Sequence, residues 1–375
     1  MNDQIRYSQV NPPRRVLLGP GPSDIHPRVL NAMSLPVLGH MDPEFIAIMD
    51  EVKAMLRVAM NTTNPMTYVI SGPGSAGMQS SLMNVLEPGD TIVICKNGVF
   101  SARMEEMCRR IGANIVLIEV PWGEAIPAEL VKATLESTDA KALAIIHAET
   151  STGVLQPIPE IARLTKDAGA LLIVDAVASF CGTPIKTDEW GIDVLYSGSQ
   201  KCMSAPPGLS PTSFSPAAHE VAENRKSQMP SWLLDLRLLE SYWSGSRRAY
   251  HHTAPVSSIY AMHEALRLVL EEGLEARYAR HIKHTAMLRE GLEKRGFRIA
   301  VAPEHRLPML TVVEIPEGLE DMEVRSRLLR DYNIEIGGGL GKFAGKVWRV
   351  GLMGESSTMN NVNALLGAFD EIYGQ

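Results

Sequence analysis

Short apolar runs alternate with stretches of helical periodicity from about residue 67 to about residue 200. Runs such as Leu171–Asp175 are rich in branched residues, which is typical of buried parallel strands. This alternation predicts a mainly parallel sheet covered by helices. The predicted strands are Tyr68–Ile70, Thr91–Cys95, Asn114–Glu119, Ala142–His147, Leu171–Asp175 and Val194–Ser197, and the predicted helices are Ala76–Leu86, Ala102–Ile111, Ala128–Leu135 and Pro157–Asp167.

The pattern changes near Trp232–Arg248, a polar stretch with aromatic residues that precedes a long helix at Val256–Glu272. After Gly273, helices and strands alternate over a shorter region. We therefore predict an α/β fold in three parts: an N-terminal arm (1–16), a large domain with the mainly parallel sheet (17–273) and a smaller C-terminal α+β domain (274–375). The other predicted helices are Pro27–Met33, Phe45–Val58, Leu274–Arg295, Met322–Asp331 and Asn360–Ile372, and the other strands are Arg298–Val301, Leu310–Ile315, Ile334–Ile336 and Val347–Leu352.

The composition, 45% hydrophobic and 21% charged, is ordinary for a soluble globular protein, and 375 residues are enough for two domains. A net charge of −7 argues against nucleic-acid or anionic-membrane partners, and no apolar run approaches the length that spans a bilayer. The polar N-terminus and the C-terminal Tyr373-Gly374-Gln375, which is not a peroxisomal signal, favour the cytoplasm. The four cysteines lack metal-type spacing, which indicates reduced thiols.

An acid and a lysine follow two of the predicted strands. Asp175 ends Leu171–Asp175, and Lys201 closes the segment Tyr196-Ser197-Gly198-Ser199-Gln200-Lys201. Open α/β folds bind ligands at the carboxyl ends of parallel strands. Pyridoxal 5′-phosphate needs this pair, because a lysine amine forms a Schiff base with its aldehyde and a carboxylate keeps its ring nitrogen protonated. Taken alone, each residue is more often a surface lysine or a helix cap.

Three further segments follow predicted strands. The turn Ser71-Gly72-Pro73-Gly74-Ser75-Ala76-Gly77 opens a helix, so its N–H groups and the helix dipole suit an anion, although a plain strand–helix turn has the same composition. Phe100 is placed to cover a flat ring, but an aromatic residue there is more often core. The turn His147–Gly153 carries hydroxyls that suit a phenolic oxygen or a substrate carboxylate, or that cap a helix.

Arg349 lies on the otherwise apolar strand Val347–Leu352, and its planar guanidinium suits capture of a carboxylate, which we favour over an internal salt bridge. The Gly- and Pro-rich segment Leu17–Ser23 indicates either backbone held close to a ligand or another chain, or an ordinary turn. The adjacent His251 and His252 are expected to face opposite ways on an extended segment, so we expect no metal site.

Together these motifs resemble the class V, fold-type-I pyridoxal-phosphate aminotransferases, and within them the alanine–glyoxylate (serine–pyruvate) aminotransferases. The resemblance runs from about Leu17 to the end of the chain. It implies an enzyme that moves an amino group from alanine or serine to glyoxylate in two half-reactions. It rests on Leu18-Gly19-Pro20-Gly21-Pro22-Ser23, Gly39-His40-Met41, Leu86-Glu87-Pro88-Gly89-Asp90, Glu149-Thr150-Ser151-Thr152-Gly153-Val154-Leu155-Gln156-Pro157, Ser197-Gly198-Ser199-Gln200-Lys201, Tyr250-His251-His252-Thr253 and Gly337-Gly338-Gly339-Leu340-Gly341.

The resemblance also implies roles for single residues. Lys201 would be the Schiff-base lysine and Asp175 the partner of the ring nitrogen. Arg349 would hold the substrate carboxylate, with Gly21, Thr150 and His40 as further substrate contacts. The other implied cofactor contacts are Gly74, Ser75 and Gln200 at the phosphate, Tyr250 and Thr253 reaching the phosphate from the second subunit of a homodimer, Phe100 and Val177 at the ring, and Thr150 near the cofactor hydroxyl. The animal enzymes have Trp in place of Phe100 and His in place of Ser75, so we expect stacking and phosphate contacts to differ.

Two alternatives stay open. The (S)-ureidoglycine–glyoxylate aminotransferases of purine catabolism share most of these motifs, but that group has Gln in place of His40, Asn in place of Tyr250 and an insertion near residues 225–226. A catalytically silent binding protein on the same fold is the other alternative, and the retention of Lys201 and Asp175 argues against it. The identity of the amino donor depends on small differences in loops.

Overall fold

The computed structural model describes residues 8–373. Within them the strands are β1 (Val16–Leu17), β2 (Met66–Ser71), β3 (Thr91–Lys96), β4 (Asn114–Glu119), β5 (Ala142–Ile146), β6 (Ala148–Glu149), β7 (Val154–Leu155), β8 (Leu171–Asp175), β9 (Val194–Tyr196), β10 (Leu209–Phe214), β11 (Leu310–Glu314), β12 (Ile334–Glu335), β13 (Gly337–Gly338) and β14 (Val347–Gly351). The α-helices are α1 (Pro27–Met33), α2 (Pro43–Met60), α3 (Gly74–Val85), α4 (Val99–Ile111), α5 (Ala128–Glu136), α6 (Ile158–Asp167), α7 (Thr187–Trp190), α8 (Pro216–Glu223), α9 (Leu236–Trp243), α10 (Val256–Glu272), α11 (Leu274–Lys294), α12 (Asp321–Asp331) and α13 (Met359–Tyr373). Short 3₁₀ helices lie at Pro303–His305, Gly341–Phe343 and Gly354–Ser356.

The central sheet has seven strands in the order β2-β10-β9-β8-β5-β3-β4. From β9 to β4 all neighbours pair in parallel, and β10 runs antiparallel to both β2 and β9. The predicted mainly parallel sheet is therefore confirmed. Every residue of β5 and nearly every residue of β8 is buried, as expected for strands in the middle of a parallel sheet.

The sequence pattern does not predict β10, because half of residues 209–214 are polar and the segment includes Pro211, which is unusual in a central strand. All six residues are nevertheless buried. The carbonyl of Pro211 accepts a hydrogen bond from Ser197 N at 2.8 Å, and the hydroxyl of Ser213 accepts one from Asn64 Nδ2 at 3.1 Å. Internal partners for its polar groups let this strand lie inside the sheet.

Two other regions differ from the prediction. The stretch near Trp232–Arg248 contains α9, whose first turn is capped by the Asp235 side chain, and α8 precedes it. The predicted strand Arg298–Val301 is wrong, since only Ile299 pairs there, in a single bridge with Val313. The chain then enters the 3₁₀ helix that begins at Pro303, and this leaves no room for a longer ladder.

Buried apolar side chains form two clusters. The larger surrounds the central sheet, and the smaller contains Leu288, Trp348 and Phe369 from the C-terminal region together with Leu18. Leu18 reaches the smaller cluster because β1 pairs in parallel with β12.

The predicted domain boundaries stay a prediction, and residues 1–7 of the predicted arm and 374–375 lie outside the described residues. Between residues 8 and 373 no helix is long and apolar enough to cross a membrane.

Candidate active site

Asp175 lies at the carboxyl end of β8, directly opposite Tyr196 at the end of the parallel strand β9. Its carboxylate accepts a hydrogen bond from Val177 N at 2.8 Å and another from the Tyr196 hydroxyl at 2.9 Å. Burial raises the pKa of Asp175 to about 7, although these two donors lower it in part. The carboxylate is therefore held in one orientation by groups from both strands.

Lys201 follows β9 by five residues and enters the same cavity from above the strand ends. Its Nζ donates to the carbonyl of Pro20, and the Ser23 hydroxyl donates to the Lys201 carbonyl at 2.8 Å. A Cβ added at Gly21 would lie 2.6 Å from Nζ, so the segment 20–23 passes close to the amine only because glycine stands there. Burial, together with the charge of Arg349, lowers the pKa of Lys201 to about 8.

A cavity of about 120 Å³ lies between these elements. Of the ten predicted cofactor contacts, eight line it: Gly74, Ser75, Phe100, Thr150, Asp175, Val177, Gln200 and Lys201. These residues come from the carboxyl ends of several strands and the helices that follow them, which is where a parallel α/β sheet forms its ligand site.

One end of the cavity is formed by the first turn of α3. Pro73 precedes this turn without a side-chain cap. Among the hydrogen bonds of residues 8–373, none is donated by the backbone N–H of Gly74 or Ser75. The turn approaches the opposite wall closely, since a Cβ at Gly74 would lie 2.8 Å from Val177 Cγ2. Free donors at a helix N-terminus attract anions.

Phe100 lies in the first turn of α4 rather than in the loop after β3. The side chain of Glu149, which is completely buried, accepts hydrogen bonds from Phe100 N at 3.1 Å and Ser101 N at 3.2 Å. Burial raises the pKa of Glu149. A Cβ at Gly98 would overlap the Glu149 carboxyl group, so this glycine allows the close approach. Glu149 thus holds the backbone of the helical turn that carries the aromatic ring.

Arg349 is buried on β14 and does not itself line the cavity, but it contacts Thr150, which does. Its Nε donates to Gly338 O at 2.8 Å and its Nη1 to Thr150 O at 3.4 Å. Among residues 8–373, no partner takes a hydrogen bond from its Nη2. The alternative interpretation of Arg349, an internal salt bridge, has no counterpart among the ion pairs of residues 8–373, so donors remain for a carboxylate.

Tyr250, Thr253 and His40 lie away from this cavity. Tyr250 is 63% exposed, and its ring centroid lies 5.1 Å from that of His40. The prediction that His251 and His252 face opposite ways is wrong. Their Nδ1 atoms are 2.7 Å apart, because the backbone bends at His252 instead of running extended.

Three residues of the site were not predicted from the sequence. Glu149 and Tyr196 lie at or just after predicted strands, and an acid or hydroxyl at a predicted strand end was the available signal. Arg103 lines the cavity one helical turn after Phe100, and its Nη1 donates to Ser75 Oγ at 3.1 Å. Only the spacing from Phe100 pointed to it.

A mainly parallel sheet with a buried acid and a lysine at its carboxyl edge, joined to a smaller α+β region, defines an α/β enzyme of the fold-type-I class. The family model of Aminotransferase class-V matches residues 16–364, and the chain belongs to this family of aminotransferases.

Three similar proteins carry two activities in their names. The structure of an alanine–glyoxylate aminotransferase from Nostoc sp. is 45% identical, with a TM-score of 0.97 and coverage of 99% of this chain and 98% of that chain. Alanine–glyoxylate aminotransferase of Rattus norvegicus is 42% identical over 96% of this chain and 87% of the rat protein. The structure of a ureidoglycine–glyoxylate aminotransferase from Bacillus subtilis is 39% identical, with a TM-score of 0.95 and coverage of 97% and 94%.

Proposed function

We propose that the chain is a pyridoxal 5′-phosphate-dependent aminotransferase that moves an amino group from alanine or serine to glyoxylate. The observation that carries this proposal is the meeting of Lys201 and Asp175 in one cavity at the carboxyl edge of the sheet. Two relatives named alanine–glyoxylate aminotransferase, at 45% and 42% identity, support the choice of substrates.

The residues of the cavity fit the cofactor. The free N–H groups of Gly74 and Ser75 suit its phosphate. The Oε1 atom of Gln200 is buried without a partner, and since amide oxygen and nitrogen are interchangeable in placement, this side chain can present Nε2 to the same phosphate. Phe100 and Val177 line the wall where a flat ring would lie, and Thr150 lies beside them.

When bound, pyridoxal phosphate supplies an aldehyde that joins an amine and a protonated ring that accepts electrons from the substrate Cα. Lys201 supplies that amine. With its pKa near 8, a substantial share of Nζ is neutral at mildly alkaline pH and able to act as nucleophile and base. When Nζ is not joined to the aldehyde, it would be placed to take the proton from the substrate Cα.

Asp175 keeps a positive charge on the ring nitrogen. Its two hydrogen bonds, from Val177 N–H and the Tyr196 hydroxyl, fix the carboxylate and leave it with further acceptor capacity. Although burial raises the pKa of Asp175 to about 7, a cation beside it favours the ionised form. Arg349 would orient the substrate carboxylate with its remaining donors, and Gly21 and His40 would be further substrate contacts.

The active unit that we propose is a homodimer in the cytoplasm. Tyr250 and Thr253 are exposed and lie outside the cavity of their own chain. Their place on the surface is compatible with reaching the phosphate of a second subunit, as the family resemblance implies.

The B. subtilis relative supports a second candidate, (S)-ureidoglycine as the donor. A ureido group needs partners that both donate and accept, as amides do, whereas His40 and Tyr250 offer fewer such groups. Each unpaired buried polar group costs roughly 1–3 kcal/mol. With glyoxylate as acceptor, we expect kcat/KM for alanine or serine to exceed that for (S)-ureidoglycine on one preparation. The reverse order would show that (S)-ureidoglycine is the preferred donor. If the protein shows no visible cofactor band and turns over none of the donors, it is a silent binding protein.

A further inference from the structure

Arg103 is the one cation of α4 that makes no ion pair within residues 8–373. The other two, Arg109 and Arg110, pair with Glu105 and Glu106 at 2.5–2.9 Å. Glu106 stands three positions after Arg103, at the spacing that favours a helical pair, but it binds Arg109 and Arg110 instead. The guanidinium of Arg103 is therefore free for another anion.

The side chain of Arg103 is directed toward the cavity. Its Nη1 donates to Ser75 Oγ at 3.1 Å, and its Cζ lies 5.1 Å from the centroid of the Phe100 ring. This cation–π contact holds the guanidinium beside the first turn of α3. Arg103 also contributes to the cavity wall, where the only other charged side chains of the described chain are Asp175 and Lys201.

The charge at this end of the cavity does not balance a phosphate without Arg103. A phosphate monoester carries a charge of about −2 near neutral pH. The N-terminus of α3 offers roughly half a positive charge. The other residues assigned to the phosphate, Ser75, Gln200, Tyr250 and Thr253, are neutral, and Lys201 serves the reacting end.

We propose that Arg103 is the counter-ion of the cofactor phosphate, acting on it beside Ser75. The inference rests on the proposed function, since it takes pyridoxal phosphate as the ligand. It goes further in naming the residue that makes the site prefer a phosphorylated ligand over an unphosphorylated one. Because Arg103 is exposed to solvent, its effect should also weaken as salt rises.

The test compares two ligands that differ only in the phosphate. Cofactor-free wild type, Arg103→Gln and Arg103→Lys are titrated with pyridoxal phosphate and with pyridoxal, and Kd is read from protein fluorescence. Arg110→Gln is the matched control, since it removes a cation from the same helix. For Arg103→Gln we expect Kd for pyridoxal phosphate to rise roughly tenfold, as for one charge-assisted contact that is partly exposed. Kd for pyridoxal should stay within about a factor of two, which is below the size of one such contact.

Arg103→Lys should recover part of the difference because it restores the charge, and Arg110→Gln should change neither Kd. Added salt should weaken phosphate-ligand binding more in the wild type than in Arg103→Gln. If Arg103→Gln raises Kd equally for both ligands, Arg103 only supports the Phe100 ring. If neither Kd changes, Arg103 has no role in binding. Either result overturns the inference while the proposed function stands. A wild type that binds neither ligand would overturn both.

Discussion

Replacing Asp175 by Asn removes one charge from the cavity while keeping the size of the side chain. The Asn side chain can still accept a hydrogen bond from Val177 N through Oδ1. The Nδ2 of Asn takes the place of the Asp175 oxygen that accepts a hydrogen bond from the Tyr196 hydroxyl. The hydroxyl can rotate, so that it accepts a hydrogen bond from Nδ2 instead. The fold should therefore survive, and the main loss is the carboxylate that holds a proton on the ring nitrogen.

The size of the loss follows from the interaction of two unit charges. At about 4 Å and an effective dielectric constant of about 20, their attraction is roughly 4 kcal/mol. This corresponds to about three pKa units of the ring nitrogen, or roughly a thousandfold in rate if the reaction needs the protonated ring. A dielectric constant of about 20 is the effective value for buried sites as well, so it applies to Asp175, which is buried.

The assay is kcat with saturating alanine or serine and glyoxylate, together with a separate titration of cofactor affinity. We expect kcat to fall roughly a thousandfold or more and the cofactor Kd to change far less. Asp193→Asn is the matched control. The Asp193 carboxylate also accepts hydrogen bonds from one backbone N–H (Leu172) and one hydroxyl (Ser215), but it lies at the opposite end of β9 from the cavity. A variant of Asp175 that keeps its turnover within about tenfold of wild type would reduce Asp175 to a structural cap.

Two further predictions concern the same pair of residues. Lys201→Ala should lack the visible absorbance band that borohydride bleaches in the cofactor-loaded wild type, because no other lysine among residues 8–373 lines the cavity. A band of full intensity in the variant would refute the assignment. In the cofactor-free protein, folding raises the pKa of Asp175 from 3.8 to about 7, so between these pH values the folded state holds a proton that the unfolded chain releases. The contribution of this group to the free energy of unfolding is therefore full below about pH 4 and is lost as the pH rises through about 7. The Tm of wild type minus that of Asp175→Asn should therefore fall over this interval, and a constant difference measured by calorimetry would contradict the raised pKa.

Much of the central sheet follows from local pattern. Strands such as Leu171–Asp175 are continuous branched apolar runs, and only a sheet covered by helices buries such runs on both faces. The same pattern places Asp175 and Lys201 at the ends of two strands, and because these strands are parallel neighbours, their ends must meet at one edge. The sequence alone thus determined the parallel strands of the sheet and the two residues most central to the proposed chemistry.

Other features were decided only by contacts between distant segments. Strand β10 is polar, so its burial depends on partners such as Asn64 that no local pattern reveals. In the sequence, Tyr196 is part of an apolar strand segment. Only the register of β8 and β9 shows that its hydroxyl reaches Asp175. The direction of Arg103 was likewise set by tertiary structure, since Glu106 was available at helical spacing and the guanidinium turned to Ser75 instead. Side-chain hydrogen bonds and ion pairs depend on which residues the fold brings within about 3 Å, and periodicity along the chain does not contain that information.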